Sequence, residues 1–236
     1  CTVIGVGGDA AFVEELLAAP GRLLPEPLPD ALAVLQFTGG TTGRAKGVEL
    51  THRAVAANIA QREAVLPTRF GDEIVLCMMP MFHSFAAAMC LNLASYAAGT
   101  LVILPRYRPD WLVDALERHR ITRLPAGPTV FNGLLSFDGL RRERVSSLRC
   151  AYSGSAPLPA DTLARWEART GVPIYEGYGQ SEAGPVLTYQ GPSTPRKAGS
   201  VGPALPLTEL RIVDPGRPDF DLPPGQPGEI VARGPQ

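Results

Sequence analysis

The sequence predicts an α/β fold, in which helices flank both faces of a mostly parallel sheet and a small antiparallel β unit follows at the C-terminal end. Strand-like and helix-like segments alternate about five times between residues 30 and 192, which is typical of parallel sheets covered by helices. Hydrophobic residues make up 45% of the 236-residue chain, enough to bury a sizeable core. After Pro192, strand-like runs lie among prolines and glycines without an intervening helix, which favours the antiparallel unit.

Hydrophobic periodicity places the individual elements along the chain. The predicted strands are apolar runs between turn-forming residues: a short run within 1–20, then 33–37, 74–78, 101–104, 121–124, 148–153, 174–178, 209–213 and 229–233. The predicted helices have apolar residues at helical spacing: 14–19, a segment from the Thr51 cap to about 65, 84–98, 110–120, 129–135 and 160–170. Thr51 is expected to be an N-cap, and Gly99 is expected to close the helix at 84–98.

Proline content divides the chain into three parts. Four prolines lie within residues 20–29, which predicts a linker. We therefore expect residues 1–29 to be a remnant of a preceding subdomain plus this linker, 30–192 to be an α/β subdomain, and 193–236 to be a truncated β-rich segment. Because the chain starts at Cys1 and stops directly after a strand-like run, we expect it to be a piece of a longer protein.

Composition excludes several classes of protein. The 22 basic and 23 acidic residues nearly cancel to a net charge of −1, so no strongly basic face predicts nucleic-acid binding. The most apolar segment, 85–98, is shorter than the roughly 20 residues that a membrane span needs. The four cysteines form no CxxC pair and have no zinc-ligand spacing, so we expect free thiols and a cytoplasmic location.

The densest motif is the ten-residue run 38–47, which holds four glycines and three threonines. Glycines let backbone N–H groups approach a ligand, hydroxyls donate to phosphate oxygens, and a lysine adds a compact charge. The run therefore predicts a polyphosphate site, with the candidate residues Thr38, Gly39, Gly40, Thr41, Thr42, Gly43 and Lys46. It is not a Walker A loop, because Lys46 comes two positions late. The alternative is a flexible polar turn between a strand and a helix.

A second motif, Tyr178-Gly179-Gln180-Ser181-Glu182, follows the strand predicted at 174–178. It lies at the carboxyl end of that strand, where parallel sheets bind ligands. Tyr178 can stack on a purine, Ser181 can bond a phosphate or carboxylate oxygen, and Glu182 offers the hard oxygen that Mg²⁺ prefers. Taken by itself, Glu182 can equally be a solvated surface residue.

Two weaker segments support these motifs. The run 152–158 (YSGSAPL) follows another predicted strand, although glycine, serine and proline are also common at ordinary strand–helix turns. The run 80–85 (PMFHSF) places His83 among apolar residues, where a histidine is often a satisfied core residue.

Taken in their order along the chain, the four segments resemble the signature motifs of adenylate-forming enzymes, a superfamily that includes acyl-CoA synthetases, luciferases and peptide-synthetase adenylation domains. The resemblance covers residues 30–236 and implies that 30–192 bind ATP and the acyl group. It implies a nucleotide site formed, besides the Gly/Thr run, by Gly154, Ser155, Ala156, Pro157, Glu176, Gly177, Tyr178, Gly179, Gln180 and Ser181. It implies an acid site formed by Phe82, His83, Ser153 and Gly154, and a magnesium ligand in Glu182. Thr41, Lys46 and Glu182 are the implied catalytic residues.

The same resemblance implies a reaction, its cofactors and its partners. The parent protein would use ATP and Mg²⁺ to activate a medium- or long-chain fatty acid as an acyl-adenylate and would transfer it to coenzyme A. A fatty acid substrate could bring the parent to a membrane surface, and the oligomeric state is not indicated. An adenylation domain serving a carrier protein and a non-catalytic nucleotide-binding module remain alternatives. The chain lacks the family's later Asp, Arg and C-terminal Lys, so we expect these 236 residues alone to be inactive.

Overall fold

The computed structural model of the chain describes residues 2–5, 18, 25–39 and 45–236. The central sheet has seven strands: β1 Thr2–Gly5, β4 Ile74–Cys77, β5 Thr100–Ile103, β6 Arg123–Ala126, β7 Cys150–Ser153, β8 Ile174–Gly179 and β9 Val186–Tyr189. Their order is β1-β5-β4-β6-β7-β8-β9. All neighbouring strands are parallel except β8 and β9, which are antiparallel. The predicted mostly parallel sheet is confirmed.

Five helices accompany the sheet within the described part of the chain. They are α1 His52–Val65, α2, α3 Pro109–Arg118, α4 Pro128–Leu135 and α5 Ala160–Thr170. Helix α2 is continuous but contains a π-helical stretch, so it consists of Ser84–Ala86, Ala87–Asn92 and Leu93–Tyr96. The helices predicted from the Thr51 cap onwards are confirmed, whereas the one predicted at 14–19 lies outside the described residues except for residue 18.

The core has two layers because successive side chains of a strand point to opposite faces of the sheet. On one face, Leu76 and Val102 pack with residues of α3, α4 and α5, including Trp166, which is fully buried. On the other face, Val75 and Leu101 pack with residues of α2. Helices thus cover both faces, as the alternating pattern predicted.

The strand predicted at 33–37 is present but is not buried in the main sheet. Strand β2 (Leu32–Gly39) pairs antiparallel with β3 (Ala45–Thr51) in a separate hairpin, and the Phe37 side chain is 64% exposed. The prediction of a buried strand was therefore wrong. Residues 45–50 were also predicted as loop, because their glycine and charged residues give no strand pattern. They are extended because they pair with β2.

The C-terminal antiparallel unit is confirmed. Strands β10 (Glu209–Asp214), β11 (Arg217–Asp221) and β12 (Glu229–Arg233) form a three-stranded sheet with β10 in the middle. The sequence predicted neither β11, whose residues are all exposed, nor the four-residue strand β9. Both are too short or too polar to show a periodicity of their own.

Two predictions about helix ends had different outcomes. The Thr51 cap is confirmed, since Thr51 Oγ1 accepts a hydrogen bond from the Ala54 N–H at 3.1 Å. The left-handed residue after α2 is Ala98, with φ 48°, so the prediction that Gly99 closes the helix was wrong. Gly99 is needed for a close approach instead, because an added Cβ would overlap the carbonyl oxygen of Glu73.

The described cysteines Cys77, Cys90 and Cys150 are free and buried, as expected. No helix in the described part of the chain is long and apolar enough to cross a bilayer.

Candidate functional site

A cavity of about 240 Å³ lies at the carboxyl edge of the central sheet. Its walls come from the ends of β7 and β8, the turn that leads into β9, and the first two turns of α2. The sequence-predicted residues that line it are His83, Ser153, Gly154, Ser155, Gly177, Tyr178, Gly179, Gln180 and Ser181. Three of the four motifs, which are far apart in sequence, therefore meet in one cavity.

Six further lining residues were not among the predicted site residues, although the first two lie in the run 80–85: Ser84, Phe85, Met89, Pro185, Val186 and Tyr189. Phe85 and Met89 lie about one helical turn apart on α2, so helical spacing from Phe85 could have indicated Met89. Val186 and Tyr189 belong to β9, whose short apolar run gave no usable signal.

The other predicted residues that the structure describes do not line the cavity. Thr38, Gly39 and Lys46 belong to the β2–β3 hairpin, in which Thr38 pairs with Lys46. Phe82, Ala156, Pro157, Glu176 and Glu182 are not lining residues. Gly40, Thr41, Thr42 and Gly43 lie outside the described residues.

The hairpin is held next to the cavity by two contacts. The Gln36 side-chain amide donates to the carbonyl oxygen of Phe82 at 2.6 Å, just before the lining residue His83. Strand β3 also packs against the short 3₁₀ helix Ser181–Ala183. These two contacts place the β2–β3 hairpin, which carries the described ends of the Gly/Thr run, next to the His83 and Ser181 segments.

The loop after β7 is shaped by a close approach and by one buried carboxylate. An added Cβ on Gly154 would lie 3.1 Å from the Phe85 ring, and the next residue, Ser155, adopts a left-handed φ of 67°. Glu176 accepts the Leu158 N–H at 2.8 Å, and burial raises the pKa of its carboxyl group. Glu176 thus holds this loop against β8 and positions the cavity wall.

Two serines join opposite walls of the cavity. Ser181, in the turn after β8, donates its hydroxyl to Ser84 Oγ, in the first turn of α2, at 3.1 Å. The Ser181 proton therefore points to Ser84, and a bound phosphate or carboxylate oxygen would take that proton while Ser84 donates its own hydroxyl to Ser181 Oγ.

His83 caps α2 and is exposed, so it is not a satisfied core histidine. Its Nδ1 accepts the Phe85 N–H at 3.2 Å, which leaves Nε2 as the protonated nitrogen of the neutral ring. A donor at the mouth of the cavity suits the carboxylate of an acid.

Glu182 is exposed and follows Ser181 directly. The described residues contain no cluster of three or more His, Cys, Asp or Glu side chains that could hold a metal ion by itself. The Glu182 carboxylate offers the hard oxygen that Mg²⁺ prefers, and Mg²⁺ usually takes one or two carboxylates plus phosphate oxygens.

The sheet, the hairpin and the cavity define an α/β nucleotide-binding protein whose site lies at the carboxyl edge of parallel strands. Residues 6–236 match the sequence profile of the AMP-binding enzyme family, and the chain belongs to that family of adenylate-forming enzymes. The resemblance seen in the motifs is confirmed.

Individual relatives support the same family. A long-chain-fatty-acid–CoA ligase of Escherichia coli is 38% identical over 216 residues, which are 90% of this chain and 38% of the relative. 4-Coumarate–CoA ligase 5 of Oryza sativa subsp. japonica is 35% identical over 250 residues, covering 100% of this chain and 46% of the relative. ATP-bound MatB from Rhodopseudomonas palustris superposes with a TM-score of 0.82 at 33% identity over 94% of this chain and 44% of MatB. The chain spans less than half the length of these relatives.

Proposed function

We propose that this chain forms the nucleotide- and acid-binding part of an ATP-dependent acid–CoA ligase whose substrate is a fatty acid. The observation that carries the proposal is the meeting of the nucleotide motif, the loop after β7 and the His83 segment around one cavity. In the first step, a carboxylate oxygen of the acid attacks the α-phosphate of ATP and releases pyrophosphate. In the second step, the thiol of coenzyme A attacks the acyl carbonyl carbon and releases AMP.

The residues of this chain would act by binding and orienting the reactants. Tyr178 would stack on the adenine, Ser181 would bond an α-phosphate oxygen, and Lys46 would hold the terminal phosphates beside the hairpin. Glu182 would hold Mg²⁺, which neutralises phosphate charge when it is bound. Alignment of two bound reactants and neutralisation of charge account for most of the rate of such a transfer.

The names of the relatives support the choice of acid and acceptor. Several are long-chain-fatty-acid–CoA ligases, and the cavity wall contributed by Phe85, Met89 and Val186 is apolar. Each CH₂ group buried against such a wall adds about 0.8 kcal/mol of binding free energy.

The two lysines of the chain provide a matched test of the phosphate site. In the full-length protein, Lys46→Ala should raise the KM for ATP about tenfold or more in acid-dependent pyrophosphate exchange, because one charge near the phosphates is lost. Lys197 is exposed and lies outside the cavity, so Lys197→Ala should leave exchange unchanged. Equal KM values for ATP in both variants would contradict the role of Lys46. The absence of exchange with every carboxylic acid would contradict the proposed function.

The serine pair allows a finer test. Ser84→Ala removes the hydroxyl that would donate to Ser181 Oγ once the Ser181 proton bonds the phosphate, a hydrogen bond worth about 0.5–1.5 kcal/mol, so kcat/KM for ATP should fall about three- to tenfold. Ser95→Ala removes an exposed hydroxyl from the same helix and serves as the control. If Ser84→Ala changes the midpoint of unfolding but not the kinetics, the hydroxyl bond has only a structural role.

A further inference from the structure

Helix α1 buries a polar face behind the cavity. Its fully buried residues are Asn58, Gln61 and Arg62, where a helix in a core normally buries apolar side chains. Two of them are satisfied. Asn58 donates to the carbonyl oxygen of the lining residue Val186 at 2.8 Å and accepts its N–H, and Gln61 donates to the Pro206 carbonyl oxygen at 2.7 Å.

Arg62 differs from its two neighbours on this face. It is only 4% exposed, and its one bonded nitrogen, Nη1, donates to the Ala88 carbonyl oxygen at 2.9 Å and contacts the Met89 sulfur at 3.2 Å. Its Nε and Nη2 have no partner in the described part of the chain, and no carboxylate there lies within salt-bridge distance. A buried guanidinium with two free donors is costly unless an acceptor reaches it.

Residue Met89 lies between this guanidinium and the cavity. Met89, which contacts Arg62, also lines the cavity, as does Tyr189. The Tyr189 hydroxyl is buried without a partner, and so is the hydroxyl of the lining residue Ser153. Burial raises the pKa of the Tyr189 phenol, and the nearby positive charge of Arg62 opposes that rise. Unpaired donors are thus present in the cavity lining, at Ser153 and Tyr189, and behind Met89, at Arg62.

We propose that the acid bound here carries an oxygen acceptor at the end of its chain remote from the reacting carboxylate, and that Arg62 and Tyr189 receive this group. A second carboxylate fits the buried positive charge best, which makes dicarboxylic acids the favoured class. Met89 is unbranched and has three rotatable bonds, so it can move aside to let the remote group reach Arg62. A plain alkyl chain that reaches Met89 and Tyr189 would instead leave the donors of Arg62 and Tyr189 unpaired. The inference rests on the proposed function for the orientation of the acid.

Matched pairs of acids test this assignment in the full-length protein. Octanoate is compared with octanedioate and hexanoate with hexanedioate, both by calorimetric binding and by pyrophosphate exchange. For at least one pair, the wild type should favour the dicarboxylate at least about tenfold. Arg62→Met should abolish that preference, and Arg62→Lys should keep part of it. Tyr189→Phe, which removes a hydroxyl with no partner and keeps the ring, should lower the preference without lowering the midpoint of unfolding.

Arg165→Met, on the exposed side of α5, is the control and should leave both measurements unchanged. The inference is overturned if pyrophosphate exchange favours the plain acids over the dicarboxylates and neither Arg62→Met nor Tyr189→Phe changes that ratio. The proposed function would then still stand. Binding of a dicarboxylate that depends on Arg62, without exchange, keeps the inference and overturns the function. If the protein shows neither binding of the acids nor pyrophosphate exchange, the inference and the proposed function are both overturned.

Discussion

Replacing Glu73 by alanine is expected to lower the free energy of unfolding by about 3–5 kcal/mol, because it strands a buried arginine. The Glu73 side chain is fully buried just before β4, and it accepts hydrogen bonds from Arg123 Nη2 at 2.8 Å and Thr122 Oγ1 at 2.6 Å. The Arg69 N–H donates to it at 2.9 Å as well. Without the carboxylate, the Arg123 guanidinium, itself 5% exposed, keeps its charge in the core with no counterion.

Urea unfolding of two further variants isolates the buried pair. Asp72→Ala removes a neighbouring carboxylate that is 63% exposed, so the loss should stay below about 1 kcal/mol. Adding Arg123→Met to Glu73→Ala should recover part of the loss, because the unpaired charge is then gone as well. A loss from Glu73→Ala no larger than that from Asp72→Ala would show that water or another group solvates Arg123.

The same carboxylate gives stability a defined pH dependence. Burial alone would raise the pKa of Glu73, but the hydrogen bonds from Arg123, Thr122 and the Arg69 N–H outweigh it and lower the pKa below its ordinary value. A lowered pKa in the folded state means that the contribution is complete above the unfolded-state pKa, about 4.3, and is lost as pH falls through the folded-state pKa. Below about pH 4, Glu73→Gln should therefore lose less stability than the wild type as pH falls.

The sequence could predict what local patterns encode. Helix α5 lies at the predicted residues 160–170, because its apolar spacing lies within this segment and Gly171 follows it directly. The lining residues Tyr178 and Ser181 could be proposed because they follow a recognisable strand at the edge where parallel sheets bind ligands.

Pairings between distant segments could not be predicted from these patterns. Glu73 and Arg123 are 50 residues apart in the sequence. From its neighbours alone, each would be predicted to be a surface charge at the start of a strand. The burial of Arg62 likewise could not be predicted locally, because the residues that enclose it, such as Ala88 and Met89 of α2, are distant in sequence. Strand β9 forms because it pairs antiparallel with the edge of β8. Its four residues are too few to show a strand periodicity in the sequence.

The glycine that ends β8 is expected to be the most sensitive position of the site. An added Cβ on Gly179 would overlap the Pro185 carbonyl oxygen and lie 2.8 Å from its carbonyl carbon, and backbone atoms cannot rotate away. The same oxygen accepts the Gln180 N–H at 2.9 Å, so moving it also releases the turn that carries Gln180 and Ser181. Gly179→Ala should therefore displace two lining residues at once.

Because a displacement of about 1 Å can cost about 10²-fold in rate, Gly179→Ala should lower kcat/KM for ATP in the full-length protein by about that factor. The accompanying loss of unfolding free energy should be only about 1–3 kcal/mol, since the overlap is confined to one turn. Gly216→Ala is the matched control, because an added Cβ there meets only the Asp214 carboxylate oxygen, at 3.3 Å, in an exposed turn far from the cavity in sequence. If Gly179→Ala folds and keeps wild-type kinetics, the turn at 180–185 adjusts freely, and the positions of Gln180 and Ser181 do not limit the reaction.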